Sequence, residues 1–174
     1  MHCAYNRTMQ GRVENLLGAL VLGLDEQLRE RVEAIVGHGP SAPAALQAVL
    51  RRPGQPIEHL RHAIGLSHSA AVRLVDRLED DGLVARRPAP DGRAVSLVLT
   101  AKGRRRAARI LQERRSVLGR SLVGLSAAER RGLEGLLDRM LRTQAAVRED
   151  PTPICRLCEL PACPLRRCPV PGGR

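Results

Sequence analysis

IGLSHSAAVRLVDRLEDDGLVARR, residues 64–87, contains one complete amphipathic helix with a signal at each end. Ser67 is a residue type that caps helix N-termini, and Gly82 is a type that ends helices. Between them, apolar side chains recur at helical spacing and form one face, which consists of Ala71, Leu74, Val75 and Leu78. The opposite face carries Ser69, Val72, Arg73, Asp76 and Arg77. The pattern predicts a helix that rests on a core and turns a polar face outward.

Short elements flank this helix on both sides. Helices are predicted at about residues 44–51 and 57–64, and Gly65 marks the turn that follows them. Residues 83–87 and 94–99 read as two short strands around a turn rich in proline and glycine, which predicts a β-hairpin with a basic tip. Two short helices joined at a glycine turn and followed by a hairpin have the order of a winged helix-turn-helix. The predicted fold class is therefore mainly α, with a small β-hairpin wing.

Longer amphipathic helices are predicted at both ends of this unit. Thr100 caps one of them, and Ser126 with Glu129 forms a capping box at the start of another. The first helix, which ends near Gly37, has an apolar stripe that needs a partner surface: Val13, Leu16, Leu17, Leu20, Val21, Leu24 and Leu28. The last helix is expected to bury Leu133, Leu136, Leu137, Met140 and Leu141.

The charge of the chain favours a polyanionic partner. The formal net charge is +11, and Lys102 is the only lysine among 29 basic residues. Residues 51–106 contain 12 basic and 6 acidic side chains, so the region of the motif carries a net +6. Tyr5 is the only aromatic side chain apart from histidine, so the stacking platforms of single-strand binders are missing. These features favour double-stranded DNA over RNA.

The polar face of the helix over residues 67–81 supplies the candidate DNA contacts. Arg73 and Arg77 suit guanine or phosphate, and a valine such as Val72 can contact a thymine methyl group. We assign Ser67 and Ser69 to the same surface, because hydroxyl groups donate to phosphate oxygens. The alternative is that both arginines only solvate the helix and pair with neighbouring acids, namely Asp76, Asp80 or Asp81.

The order of these motifs resembles the MarR (multiple antibiotic resistance regulator) family over residues 10–146. The resemblance is carried by residues 64–87, by DGR at 91–93 and by LTAKG at 99–103. It implies an obligate homodimer with an intertwined helical dimerisation region, built from the first helix and the last two. It further implies that the recognition helices read the major groove of a palindromic operator, and that Arg93 at the wing tip enters the minor groove.

The same resemblance carries expectations about regulation. Many family members release DNA when a small anionic aromatic compound or an oxidant acts on the cleft between the dimerisation and DNA-binding parts, so a small-molecule effector is expected. The sequence shows no nucleophile-base grouping and no glycine-rich phosphate loop, so we assign no catalytic residue and expect no enzyme. It has no apolar run that could span a membrane and no signal segment, so we expect a cytoplasmic protein without a membrane partner.

Four cysteines near the C-terminus form the strongest chemical signal. Cys155, Cys158, Cys163 and Cys168 follow the pattern C-x2-C-x4-C-x4-C. Four thiolates at this spacing can close around a tetrahedral ion, which predicts a zinc site. An iron-sulfur cluster is the alternative, because a proline directly follows the last cysteine, as in ferredoxin loops. Cys3 is isolated and is left out of the site.

These observations divide the chain into four segments. Residues 1–40 are the N-terminal dimerisation helix, 41–99 the winged helix-turn-helix, 100–148 the C-terminal dimerisation helices, and 149–174 the cysteine-rich metal-binding tail. The predicted function is a transcriptional regulator, a repressor that occupies its operator as a homodimer and responds to a small molecule, redox state or metal. The alternative is a dimeric architectural or partner-binding protein with a zinc-stabilised tail. Because the tail follows the last dimerisation helix, we expect it to brace the dimer and leave the DNA contacts intact.

Overall fold

The computed structural model describes residues 2–88, 95–159, 162–163 and 165–170; for residues 2–10 and 165 it describes the backbone alone. The helices are α1 (His2–Val36), α2 (Ser41–Arg51), α3 (Ile57–Ile64), α4 (His68–Asp80), α5 (Ala101–Ser121) and α6 (Ala127–Ala146). The strands are β1 (Gln55–Pro56), β2 (Val84–Pro88) and β3 (Val95–Leu99). Two short 3-10 helices follow, Thr152–Cys155 and Leu165–Arg167. This is the mainly helical, winged helix-turn-helix class that the sequence predicts.

The predicted helix starts are confirmed. The Ser67 side chain accepts a hydrogen bond from the backbone N–H of Ala70 at 3.3 Å and begins α4. The Thr100 side chain caps α5 in the same way, and Ser126 forms its capping box with Glu129 at the start of α6. Each cap satisfies backbone donors that a helix leaves without a partner in its first turn, and is worth about 1 kcal/mol.

A three-stranded antiparallel sheet with the order β1-β3-β2 forms the wing. The hairpin is confirmed, with Val84 opposite Leu99 and Pro88 opposite Val95, although β2 begins one residue later than predicted. β1 was not predicted, because a two-residue strand that contains a proline has no detectable alternation. The hairpin tip, including Arg93, lies outside the described residues.

The main core lies beneath α4. Leu74, Val75 and Leu78 are fully buried on the inner face of α4, as the sequence predicts. They belong to one cluster with Leu46 of α2 and Ile110 of α5. Burying side chains of this size stabilises the fold by about 1.5–3 kcal/mol each. The core therefore fixes the orientation of α4 about its own axis, and with it the direction of the polar face.

The apolar stripes of the terminal helices lie outside this core. Leu136, Leu137 and Met140 of α6 are 49%, 46% and 41% exposed, so the expectation that α6 buries them is wrong for the single chain. The stripe of α1 is exposed from Val13 to Val21. The reason is that these parts of α1 and α6 extend beyond the body that contains the core, where none of the described elements of the chain covers them. Within the described residues, no helix combines the length and apolarity needed to cross a bilayer.

The motif LTAKG at residues 99–103 joins α5 to the end of α4. The Thr100 hydroxyl donates to the carbonyl oxygen of Gly82 at 2.6 Å, and its backbone N–H donates to that of Leu83 at 3.1 Å. A Cβ atom at Gly103 would overlap the Leu83 carbonyl group. The start of α5 can therefore approach the α4–β2 connection only with glycine at position 103.

We expect Gly103→Ala to lower the free energy of unfolding by about 1–3 kcal/mol, because the added methyl group must displace the backbone of Leu83. Gly119→Ala is the matched control, since a Cβ there meets no atom within 4 Å and alanine favours the helix by about 1 kcal/mol. Urea denaturation of both variants measures the difference. Equal stability of the two variants would contradict the close approach.

Candidate nucleic-acid interface

The recognition helix α4 presents the predicted DNA-binding side chains on one side. Ser69, Arg73 and Arg77 are exposed, and Val72 is half-buried beside them. Ser67 lies at the N-terminus of the same helix, where its hydroxyl oxygen caps the helix and lies 3.4 Å from that of Ser69. The structure therefore places these five residues together, whereas Arg93 falls outside the described residues.

The outward-facing arginines of α4 are not used in ion pairs with any residue that the structure describes. Among the described residues, neither Arg73 nor Arg77 has a carboxylate within ion-pair distance. Asp76, which the alternative interpretation would pair with them, binds Arg86 instead at 2.6 Å. Asp81 faces His38, with 2.7 Å between its carboxylate and the imidazole Nε2. The guanidinium groups of α4 therefore remain available to an external anion or base edge.

Arg86 is a positioning residue that the sequence analysis missed. Its guanidinium group pairs with both Glu79 and Asp76 of α4, and its backbone N–H donates to Glu79 at 3.1 Å. These bonds join strand β2 to the helix, so the wing and the recognition helix form one surface. The sequence does contain two acidic residues three positions apart on α4 and an arginine in the following strand. This spacing alone did not indicate a contact, because only the fold brings the three side chains together.

The same bonds shift the pKa values of the side chains that form them. The backbone N–H and the guanidinium group of Arg86 hold the pKa of Glu79 below its usual value. Hydrogen bonding to Asp76 raises the pKa of Arg86. The carboxylate of Glu79 is therefore favoured in its charged form in the folded state, and the wing is attached to α4 by charged hydrogen bonds.

The stability contributed by Glu79 should depend on pH. Because its pKa is lower in the folded state, the stabilisation is complete above the ordinary carboxylate pKa and is lost as the pH falls through the folded-state value. Glu79→Gln should therefore lower stability at neutral pH, and the difference from wild type should disappear in acid. Glu134→Gln, an exposed glutamate without an ion pair among the described residues, is the control. Thermal unfolding between acid and neutral pH measures both, and a Glu79→Gln effect that does not vary with pH would contradict this assignment.

The four C-terminal cysteines form a second cluster. Cys155 is buried and Cys158, Cys163 and Cys168 are half-buried, and all four are free thiols. Cys155 packs with Ala145 and Val170, and the side chains of Cys158 and Cys168 pack against this group. Cys155, Cys158 and Cys168 therefore share one small apolar cluster, and the predicted metal site stays a prediction.

The thiol groups interact directly with each other. A hydrogen bond from the Cys155 thiol lowers the pKa of Cys158 to about 6, and the guanidinium groups of Arg114 and Arg51 act in the same direction. Burial raises the pKa of Cys163, whose thiol also interacts with that of Cys168. In the part of the chain that the structure describes, no three potential ligands stand in the geometry of a formed metal site. Metal binding would therefore require the thiol groups to rotate and close further around an ion.

Comparison with known proteins identifies the architecture. A family model described as the MarR family matches residues 37–94, which extend from the end of α1 into the wing. A putative transcriptional regulatory protein for the hcr operon of Thauera aromatica is 34% identical in an alignment of 128 residues, which covers 71% of this chain and 77% of that protein. The chain belongs to the MarR family. MarR-family proteins are transcription regulators and not enzymes, and they bind DNA and act as dimers.

Solved structures agree with this assignment. A MarR-family protein from Bacillus stearothermophilus is 26% identical, with a TM-score of 0.68 over 79% of this chain and 96% of that protein. The YusO protein of Bacillus subtilis shares the fold at 21% identity, with a TM-score of 0.69 over 76% of this chain and 94% of that one. Both alignments cover nearly the whole length of the solved chain, and both leave at least a fifth of this chain uncovered.

Proposed function

We propose that this MarR-family chain is a repressor that binds a palindromic operator in duplex DNA as a homodimer. The observation that carries the proposal is the outer face of α4, where Arg73 and Arg77 are exposed and have no ion-pair partner among the described residues. A repressor of this kind prevents transcription by occupying the promoter, so no chemical step is required. The exposed arginines are the groups that would distinguish one operator from other duplexes.

The contacts of such a complex follow from the chemistry of α4. An arginine fork donates two parallel hydrogen bonds to O6 and N7 of guanine, which are accessible in the major groove. The Ser69 hydroxyl donates to a phosphate and Val72 contacts a thymine methyl group, while Arg93 of the wing enters the adjacent minor groove. Arg73 and Arg77 are four residues apart and therefore lie on the same face of the helix, one turn from each other.

The twofold symmetry of a dimer would match the symmetry of a palindromic operator. The exposed apolar stripes of α1 and α6 are the surfaces that a second copy of the chain would cover. Such stripes are unfavourable in water, and burying them contributes about 25 cal/mol per Å². A twofold dimer presents two recognition helices about one DNA turn apart, roughly 34–36 Å, so each reads one half-site.

A groove between α1 and α5 supports an anionic small-molecule effector. It has a volume of about 230 Å³ and is lined by Glu30, Arg31, Ala34, Ile35, Arg106, Arg109 and Glu113. Three guanidinium groups outnumber the two carboxylates of the lining, and this positive excess beside an apolar patch suits a carboxylate attached to a hydrophobic body. An effector held here would contact both the first helix and the helix that follows the wing.

The proposal is tested by asking whether the affinity lost in Arg73→Ala depends on the base pairs of the operator. If Arg73 reads a base, Arg73→Ala should lose about 1–3 kcal/mol of binding free energy against the operator and much less against operators altered at the contacted base pair. Arg131→Ala, which removes the same charge from the exposed start of α6, is the matched control and should lose little against any of them. Fluorescence anisotropy with a panel of single-base-pair operator variants measures these losses. Losses for Arg73→Ala that are the same for every duplex would reject base recognition by this residue.

A further inference from the structure

The cysteine-rich tail folds back onto the DNA-binding body. Arg51, the last residue of α2, donates from Nη1 to the carbonyl oxygen of Cys155 at 2.8 Å and from Nη2 to that of Arg156 at 3.1 Å. Its Nε also donates to the carbonyl oxygen of Gln47 within α2 at 3.3 Å. One half-buried guanidinium group therefore holds two consecutive carbonyl groups of the tail, between the first two cysteines of the motif.

The tail also contacts the turn of the helix-turn-helix. Gly65 ends α3 in the left-handed conformation, with φ at +71°, and connects α3 to the recognition helix. The ring of Pro153 lies against it, so that a Cβ atom at Gly65 would be 3.4 Å from the proline Cγ. Leu157 packs against the main core, and Glu159 pairs with Arg115 of α5 at 3.2 Å. The tail thus meets α2, α5 and the turn that precedes α4.

This position differs from the expectation that the tail would brace the dimer and leave the DNA contacts intact. Among the described residues of α6, Ala145 is the one that packs in the cysteine cluster. The other contacts are made with α2, α5 and the turn that precedes α4. The physical reason is the length of the tail, which is sufficient to reach back from the end of α6 to α2 and α3.

The chemistry of the cluster fits a cation with thiolate ligands. Four free thiols meet in a segment whose own apolar core consists of little more than Ala145, Cys155 and Val170. So small a core cannot order the segment by burial alone. A Zn²⁺ ion with four thiolates carries a net charge of −2. Arg51, whose guanidinium group binds the carbonyl oxygen of Cys155 at 2.8 Å, supplies a positive charge beside the cluster.

We propose that Cys155, Cys158, Cys163 and Cys168 bind one zinc ion per subunit, and that this centre restrains the turn before the recognition helix through Arg51 and Pro153. The regulatory part of this inference rests on the proposed operator-binding function. Each thiol loses its proton to solvent on binding, and the closed set of four ligands leaves no position for substrate. Zinc therefore acts by holding the tail in place.

The consequence of zinc loss follows from the contacts. Without the ion, the ligand-bearing segments are no longer tied together, and the carbonyl groups of Cys155 and Arg156 lose their fixed position against Arg51. Pro153 then no longer restrains Gly65. The turn before α4 then samples more conformations. Operator binding must order the turn, and the entropy lost in doing so lowers the affinity.

The first test measures the metal. The full chain is purified with and without oxygen, and zinc, iron and acid-labile sulfide are determined per subunit. We expect one zinc per subunit in both preparations, and loss of zinc in Cys158→Ser and in Cys163→Ser. Stoichiometric iron and sulfide in the oxygen-free preparation, or a metal-free chain whose tail amides are protected from exchange, would overturn the zinc site.

The second test measures the coupling. Amide hydrogen exchange over residues 62–68 is followed before chelation, after chelation and after zinc is added back, in the absence of DNA. Exchange should rise after chelation and return with zinc. Arg51→Met should keep its zinc, show the same raised exchange, and lose operator affinity by about tenfold, which is within the usual range of coupling between sites. Arg148→Met removes an equal charge from an exposed residue just before the tail, and should change neither exchange nor affinity.

The outcomes separate the two proposals. Unchanged exchange over residues 62–68 after chelation, or an Arg51→Met variant that matches Arg148→Met, would overturn the coupling. If the zinc-loaded wild type prefers no duplex over a scrambled one, the proposed function fails instead. In that case the zinc content still decides whether the metal centre exists, and the amide exchange over residues 62–68 still decides whether it restrains the turn.

Discussion

The contact of Thr100 and Gly103 with the α4–β2 connection is the constraint on which the DNA-binding surface depends. Thr100 uses its hydroxyl and its backbone N–H to bind the carbonyl oxygens that follow α4, and Gly103 allows the backbone of α5 to lie against Leu83. The end of α4, the start of β2, the end of β3 and the start of α5 therefore meet at one point. A displacement there would move the recognition helix, the wing and the long helix α5 at once.

Ion pairs give the wing and the recognition helix a second connection, in addition to the junction at Thr100 and Gly103. Arg86 engages two acidic side chains of α4, so the wing is attached to the recognition helix and the negative charges of α4 are offset from the wing side. Arg73 and Arg77 then face outward without a competing partner among the described residues. Asp76, which could have neutralised the exposed arginines of α4, instead helps to hold the wing against the helix. Paired acids and unpaired arginines on one helix thus have distinct roles.

The parts of the fold that could be predicted from sequence are those with local causes. A cap such as Ser67 acts on a backbone group three residues away, and the two paired strands of the hairpin lie close together in the sequence, so both leave a recognisable pattern. The clamp made by Arg86 and the docking of Arg51 on the tail join residues that only the folded chain brings together. The burial expected for Leu136 fails in the single chain, where this side chain is 49% exposed, because its spacing on the helix predicts an apolar face but not what covers it.

The central claim is that the outer face of α4 reads a particular DNA sequence and that arginine-phosphate contacts support it. The most direct measurement is the affinity of the wild-type protein for its operator and for a scrambled duplex of equal length, at several salt concentrations. If about 6–10 phosphates are contacted, operator affinity should fall by about 10³–10⁵ between roughly 50 and 200 mM salt, and the operator should remain preferred throughout. Equal affinity for the two duplexes, or operator affinity that salt leaves unchanged, would contradict the account.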